Sequence, residues 1–173
     1  EGKTIAALAA AWELSPIDAA RRILDAEGIA ATVVLHVMCE DDVRTVLRHP
    51  TTMIGSDGLP TLRGKPHPRL YGTFARVLGT YARDEHVLPL ETAVHRMTGF
   101  PARKFGFEGR GELRPGAFAD LVVFDPARIA DIASYEDPHH PPAGIAHVFV
   151  NGTQVVRDGA HTGARPGRTL RRS

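Results

Sequence analysis

Two apolar stretches separated by helix-like sequence constrain this chain more than any other feature. Residues 30–38 (Ala-Ala-Thr-Val-Val-Leu-His-Val-Met) read as a strand apolar enough to be buried on both faces, and residues 51–56 read as a second strand. Strands that alternate with helices predict parallel β/α units. Two such strands cannot stand alone as a sheet, and a (β/α)8 barrel takes about 250 residues, whereas this chain has 173. It also begins at Glu1, without an initiator methionine and directly in helix-like sequence. The expectation is an α/β chain that forms the last part of a barrel whose earlier strands lie elsewhere. Left alone, such a piece would present unpaired edges and exposed apolar surface.

The second strand ends in the segment with the most chemical promise. Met53-Ile54-Gly55-Ser56-Asp57-Gly58-Leu59-Pro60 climbs through apolar residues to a carboxylate and then breaks into a Gly/Pro loop. A barrel strand delivers a catalytic acid or base to its C-terminal rim in this way. Flanking glycines let backbone and ligand come close. Taken alone, Ser-Asp-Gly is a weak signal and reads first as the end of a strand entering a turn. The polar, Pro-rich loop 61–70 follows directly and would cross the mouth of the barrel.

The helices are marked by their caps. Residues 4–12 carry Ile5, Leu8 and Trp12 at helical spacing. Ser15-Pro16-Ile17-Asp18 combines an N-cap, a proline suited to the first turn and an acid at the positive helix end. That helix would bury Ile17, Ala20 and Leu24 and stop at Gly28. Glu40-Asp41-Asp42 opens a third helix with Val43, Val46 and Leu47 inward, ended by His49-Pro50. A fourth begins at Gly72-Thr73 with Phe74, Val77, Leu78 and Tyr81 on one face, and a fifth spans 89–98 with Leu90, Ala93, Val94 and Met97 inward. Residues 101–105 add a short helical turn. From Gly109 the character changes: 117–125 reads as a strand, 129–142 as a loop, and 148–156 as a hairpin around Asn151-Gly152. The expected division is 1–108, the last β/α units and following helices, and 109–173, strands of a small β-sandwich-like domain with a basic tail.

Composition excludes several classes. A net charge of +1 gives no nucleic-acid footprint, and no run approaches the roughly 20 apolar residues of a membrane span. The single cysteine, Cys39, permits no internal disulfide and fits a reducing, cytoplasmic setting. Gly106, Gly109, Gly111 and Gly116 lack the spacing of a dinucleotide fingerprint, and Gly55-Ser56-Asp57-Gly58 is not a serine-hydrolase nucleophile elbow. Nine histidines are present without a compact zinc spacing, so no metal ligand is assigned in this chain. His36 reads as a packed histidine, His139-His140 as a solvated loop, and Arg165, Arg168, Arg171 and Arg172 as a solvated tail.

Three groups of residues carry a resemblance. Gly55-Ser56-Asp57-Gly58-Leu59-Pro60, His67-Pro68-Arg69-Leu70-Tyr71-Gly72-Thr73-Phe74 and Arg76-Val77-Leu78-Gly79 resemble the C-terminal half of the N-acyl-D-amino-acid deacylases (D-aminoacylases). Met97-Thr98-Gly99-Phe100-Pro101-Ala102, Gly111-Glu112-Leu113-Arg114-Pro115-Gly116, residues 119–125 and Val150-Asn151-Gly152 are similar to the closing segment of the wider amidohydrolase superfamily. The resemblance implies a metal-dependent hydrolase with a (β/α)8 barrel, one catalytic zinc and a small β-domain. It also implies hydrolysis of N-acyl-D-amino acids to a carboxylate and a D-amino acid, with Asp57 as the acid/base. Arg69 would clamp the substrate carboxylate bidentately, with His67 and Ser56 as further substrate contacts. The family's zinc ligands sit on earlier strands, so the zinc and the upstream barrel half would have to be supplied to this chain, which is expected to be inactive alone. Two other readings stand beside this one: a cyclic amidase of the hydantoinase or dihydroorotase kind, and a degenerate, non-catalytic module.

Overall fold

The computed structural model describes residues 2–60 and 64–171. Residues 61–63 of the expected loop, Glu1, Arg172 and Ser173 lie outside the described residues. The N-terminal region is helical. α1 (Ile5–Trp12) starts where the Thr4 hydroxyl accepts the Ala7 N–H. α2 (Pro16–Glu27) starts where the Ser15 hydroxyl accepts the Asp18 N–H, and it ends at Gly28. The start of α2 is the one its capping residues predict. A single 3-10 turn (Gly28–Ala30) follows α2. α3 (Glu40–Arg48) carries three acids in its first turn and Arg48 in its last, matching the helix dipole at both ends.

α4 (Arg69–Arg76) starts three residues before the expected Gly72, because Pro68 occupies the N-cap and its carbonyl accepts the Tyr71 and Gly72 N–H groups. A wider π-helix (Val77–Asp84) continues it directly. α5 (Leu90–Met97) and α6 (Gly99–Phe105) follow, and Gly106 closes α6 in the left-handed conformation. A four-stranded antiparallel sheet completes the chain: β1 (Leu121–Phe124), β2 (Ile145–Val150), β3 (Thr153–Arg157) and β4 (Ala160–His161), adjacent in that order. Asn151 and Gly152 both take positive φ, as a tight hairpin between β2 and β3 requires.

The two expected parallel strands are absent as strands. Residues 31–39 and 53–60 have no ladder partner, and Val33, Leu35, Val37 and Met38 are exposed. The reason is physical: a strand exists only through its neighbours' hydrogen bonds, and these segments meet none among the described residues. The same surface runs into the helices. Ile17 and Leu24 of α2, Val46 of α3, Phe74 of α4 and Val94 of α5 are exposed rather than inward, whereas Leu47 and Ala93 are buried as expected, together with Ala19 and Ala75.

The core lies between α3, the π-helix, α5 and the first strands. Leu47, Val77, Leu78, Tyr81, Val87, Leu88 and Ala93 form it with Ile129, and Ile54, Phe124 and Ile145 pack against it. Ile129 is the largest side chain with essentially no solvent contact, at 1% exposed. Its carbonyl oxygen accepts from the Arg83 guanidinium at 2.7 Å. A Cβ on Gly79 would stand 2.5 Å from that same oxygen, so only glycine lets the π-helix lie this close. Arg96, buried on α5, donates to the Leu47 carbonyl, and its own carbonyl accepts the Ile54 N–H at 3.0 Å. The segment leading to Asp57 is thus tied to the core three residues before it.

Ile129→Ala should destabilise the chain by about 2–5 kcal/mol, read as a lower urea midpoint. Gly79→Ala should also destabilise, although helix propensity alone would favour alanine by about 1 kcal/mol. A stabilised Gly79→Ala variant would contradict the close approach to Ile129.

Candidate functional site

The site is assembled at the start of α4. Asp57 follows the core-anchored Ile54 and turns the chain with a φ of 47°, unusual for a residue with a side chain. Ser56 stabilises this corner: its hydroxyl accepts the Gly58 N–H at 3.2 Å. The turn puts the Asp57 carboxylate outward, 80% exposed.

Arg69 meets it from the first turn of α4. Its guanidinium lies 2.9 Å from Asp57 Oδ2, and its Nε donates to the Asp57 backbone carbonyl at 3.0 Å. Thr73, one turn on, donates to the Arg69 carbonyl at 3.0 Å and approaches the Ser56 carbonyl at 3.5 Å. Arg69 therefore grips the Asp57 corner by backbone and side chain together.

His67 joins the two. Its Nδ1 accepts the Arg69 backbone N–H at 3.0 Å, taking one of the free donors at the start of α4. An Nδ1 that accepts is unprotonated, so the ring proton sits on Nε2, 3.2 Å from the Tyr135 hydroxyl. Partial burial, then the Arg69 cation and His36, hold the His67 pKa below the ordinary imidazole value, against an opposing pull from Asp57.

The four residues singled out from the sequence, Ser56, Asp57, His67 and Arg69, thus lie together. Sequence reasoning missed Tyr135 and Thr73. Thr73 stood inside a quoted motif, but Tyr135 sits in the expected loop 129–142, and nothing local marks it. His36 departs from its expectation: it is exposed, and its ring stands edge-on to Tyr135 at 5.0 Å rather than packed in a core. His139 and His140 are solvent-exposed, as expected for a loop, with His139 Nε2 at 2.9 Å from the Gly64 carbonyl and His140 at 2.7 Å from Asp137. The His140 hydrogen bond holds the Asp137 carboxyl below its usual range. Among the described residues, no group of three or more His, Cys, Asp or Glu side chains could hold a metal ion. None of the described helices is long and apolar enough to cross a membrane.

Chemically, the arrangement offers an exposed carboxylate able to take or return a proton, and beside it a planar cation suited to a carboxylate ligand.

An amidohydrolase family model matches residues 3–156. A D-aminoacylase of Alcaligenes xylosoxydans xylosoxydans is 54% identical over 143 residues, covering 83% of this chain and 29% of that protein. An N-acyl-D-glutamate deacylase of the same organism is 46% identical over 171 residues, covering 99% of this chain and 34% of its own length. The crystal structure of an N-acyl-D-glutamate deacylase from Bordetella bronchiseptica superposes with a TM-score of 0.86 at 46% identity, over 98% of this chain and 34% of that one. It is complexed with zinc and a phosphonate inhibitor that mimics the tetrahedral intermediate of the reaction. The chain spans about a third of the length of the curated relatives it matches.

The lowered His67 pKa sets a pH dependence. A folded-state pKa below the unfolded one favours the neutral ring. Its contribution is therefore complete above the unfolded imidazole value and is lost as pH falls through the lowered folded value. Stability measured by urea melts should decline between about pH 7 and pH 5, and His67→Asn should flatten that decline. An unchanged slope in the variant would remove His67 as its source.

Proposed function

The chain belongs to the amidohydrolase family, and we propose that it supplies the acid/base carboxylate and the substrate-carboxylate clamp of an N-acyl-D-amino-acid deacylase. The observation that carries this reading is the Asp57–Arg69 pair, with the carboxylate on an exposed corner and the guanidinium 2.9 Å away. The relatives' activities and their match over nearly the whole chain support it. In the longer protein, residues 1–108 would belong to the closing units of a (β/α)8 barrel and residues 109–173 to a small β-domain. The apolar stretch 31–38 would then find its ladder partners in strands outside this chain.

Hydrolysis of a linear N-acyl-D-amino acid needs a proton taken from water and a proton given to the leaving nitrogen. Asp57 performs both transfers at its carboxylate oxygens. In the free chain that carboxylate is paired with Arg69. The α-carboxylate of an incoming substrate is a better-matched, bidentate partner for the guanidinium. Its arrival releases Asp57 for proton transfer while Arg69 keeps its hold on the Asp57 carbonyl. Ser56 fixes the corner, and His67 fixes the helix turn that carries Arg69. A zinc ion would activate the attacking water, as one accompanies the solved relative. The described residues of this chain offer no group that fits such an ion, so its ligands would come from elsewhere in the longer protein.

In the protein expressed from its whole reading frame, Asp57→Asn should lower kcat by about 10²- to 10⁴-fold with metal content unchanged. Arg69→Ala should raise KM for N-acyl-D-amino acids, with Arg69→Lys falling between it and the parent because a point charge replaces a fork. Near-normal turnover of Asp57→Asn with metal retained would overturn the assignment.

A further inference from the structure

The loop that follows Ile132 reaches back over the segment that carries the site. Lys65 donates to the Glu136 carbonyl at 2.7 Å, and His139 Nε2 meets the Gly64 carbonyl at 2.9 Å. The Tyr71 hydroxyl lies 3.5 Å from His139 Nδ1. At the centre of this contact, the Tyr135 ring stands edge-on to two imidazoles, His36 at 5.0 Å and His67 at 5.2 Å. Three segments distant in sequence therefore meet at one phenol.

The hydrogen bonds around His67 form a directed chain. The Arg69 N–H requires an unprotonated Nδ1. The neutral ring then carries its proton on Nε2, and the Tyr135 oxygen is its acceptor at 3.2 Å. An imidazole hydrogen-bonded at both nitrogens cannot rotate without breaking both bonds. Among the described residues, the charged and titratable groups that face this ring are Arg69, Asp57, His36 and Tyr135.

We propose that Tyr135 is a positioning residue for Arg69: by accepting the His67 Nε2 proton it holds Nδ1 on the Arg69 amide, and so keeps the first turn of α4 and its guanidinium against Asp57. The kinetic consequence of this role rests on the reading of Arg69 as the substrate-carboxylate residue; the structural consequence does not.

Tyr135→Phe keeps the ring and removes only the acceptor. In the protein expressed from its whole reading frame, hydrogen exchange of the Arg69 amide should quicken on the order of tenfold, the worth of one neutral hydrogen bond, while core amides keep their rates. An unchanged Arg69 amide overturns the proposal, and so does a uniform acceleration of all amides, which would mean general destabilisation. In the whole enzyme, Tyr135→Phe should raise KM for an N-acyl-D-amino acid while kcat is kept. His67→Asn offers an amide oxygen where Nδ1 stood, so it should restore much of the Arg69 cap. Tyr135→Phe added to it should then change KM little further. A fall in kcat with KM unchanged, or independent effects of the two substitutions, contradicts the positioning role. Should the parent enzyme hydrolyse no N-acyl-D-amino acid, the deacylase reading fails and the amide-exchange result still decides the role of Tyr135.

Discussion

The first turn of α4 is the point on which site and fold both depend. Pro68 caps it, His67 accepts the Arg69 amide, and Arg69 reaches back to both the carbonyl and the carboxylate of Asp57. The turn has this geometry because it is held from two sides. Behind it, α4 runs into the π-helix, whose Val77, Leu78 and Tyr81 are core residues. Ahead of it, Ile54 anchors the approach to Asp57 through its packing and through the Arg96 carbonyl. A charge pair between two exposed or half-exposed side chains contributes little stability by itself. It follows from the packing beneath it, and its importance is chemical.

The helical part and the sheet share one core because Ile129 is buried at their junction. The Ile129 carbonyl binds Arg83, and the π-helix comes within contact only because residue 79 is glycine. The polar contacts of the loop around Tyr135 add a second connection close to the site. A segment whose neighbours in the sequence belong to the sheet thus reaches the residues that the helical part presents for chemistry.

Much of the local structure was legible in the sequence. Ser15 caps the helix it predicts, Gly28 ends α2, and Asn151-Gly152 makes the hairpin. These are decided by one to four neighbouring residues, so one sequence suffices. The strands expected at 30–38 and 51–56 did not form, since a strand requires partners that apolar composition cannot supply. The inward faces of α2 and α3 formed only in part: Leu47 is buried, but Ile17, Leu24 and Val46, with equally good spacing, are exposed because among the described residues little covers them. At the site, Ser56, Asp57, His67 and Arg69 stand within one short segment, and their motifs named them. Tyr135 touches His67 across 68 positions, and no periodicity or spacing signals such a contact.

The central claim is that Asp57 and Arg69 act on an N-acyl-D-amino acid. The most direct measurement is the hydrolysis of matched N-acyl-D- and N-acyl-L-amino acids by the protein expressed from its whole reading frame with zinc supplied. The analogous D-compound with its α-carboxylate converted to a neutral amide is the control. The account predicts turnover of the D-acid, little of the L-acid, and a loss of kcat/KM for the neutral analogue on the order of the charged hydrogen bonds removed, about 1.5–3 kcal/mol. Equal hydrolysis of all three compounds, or hydrolysis of none, would contradict it.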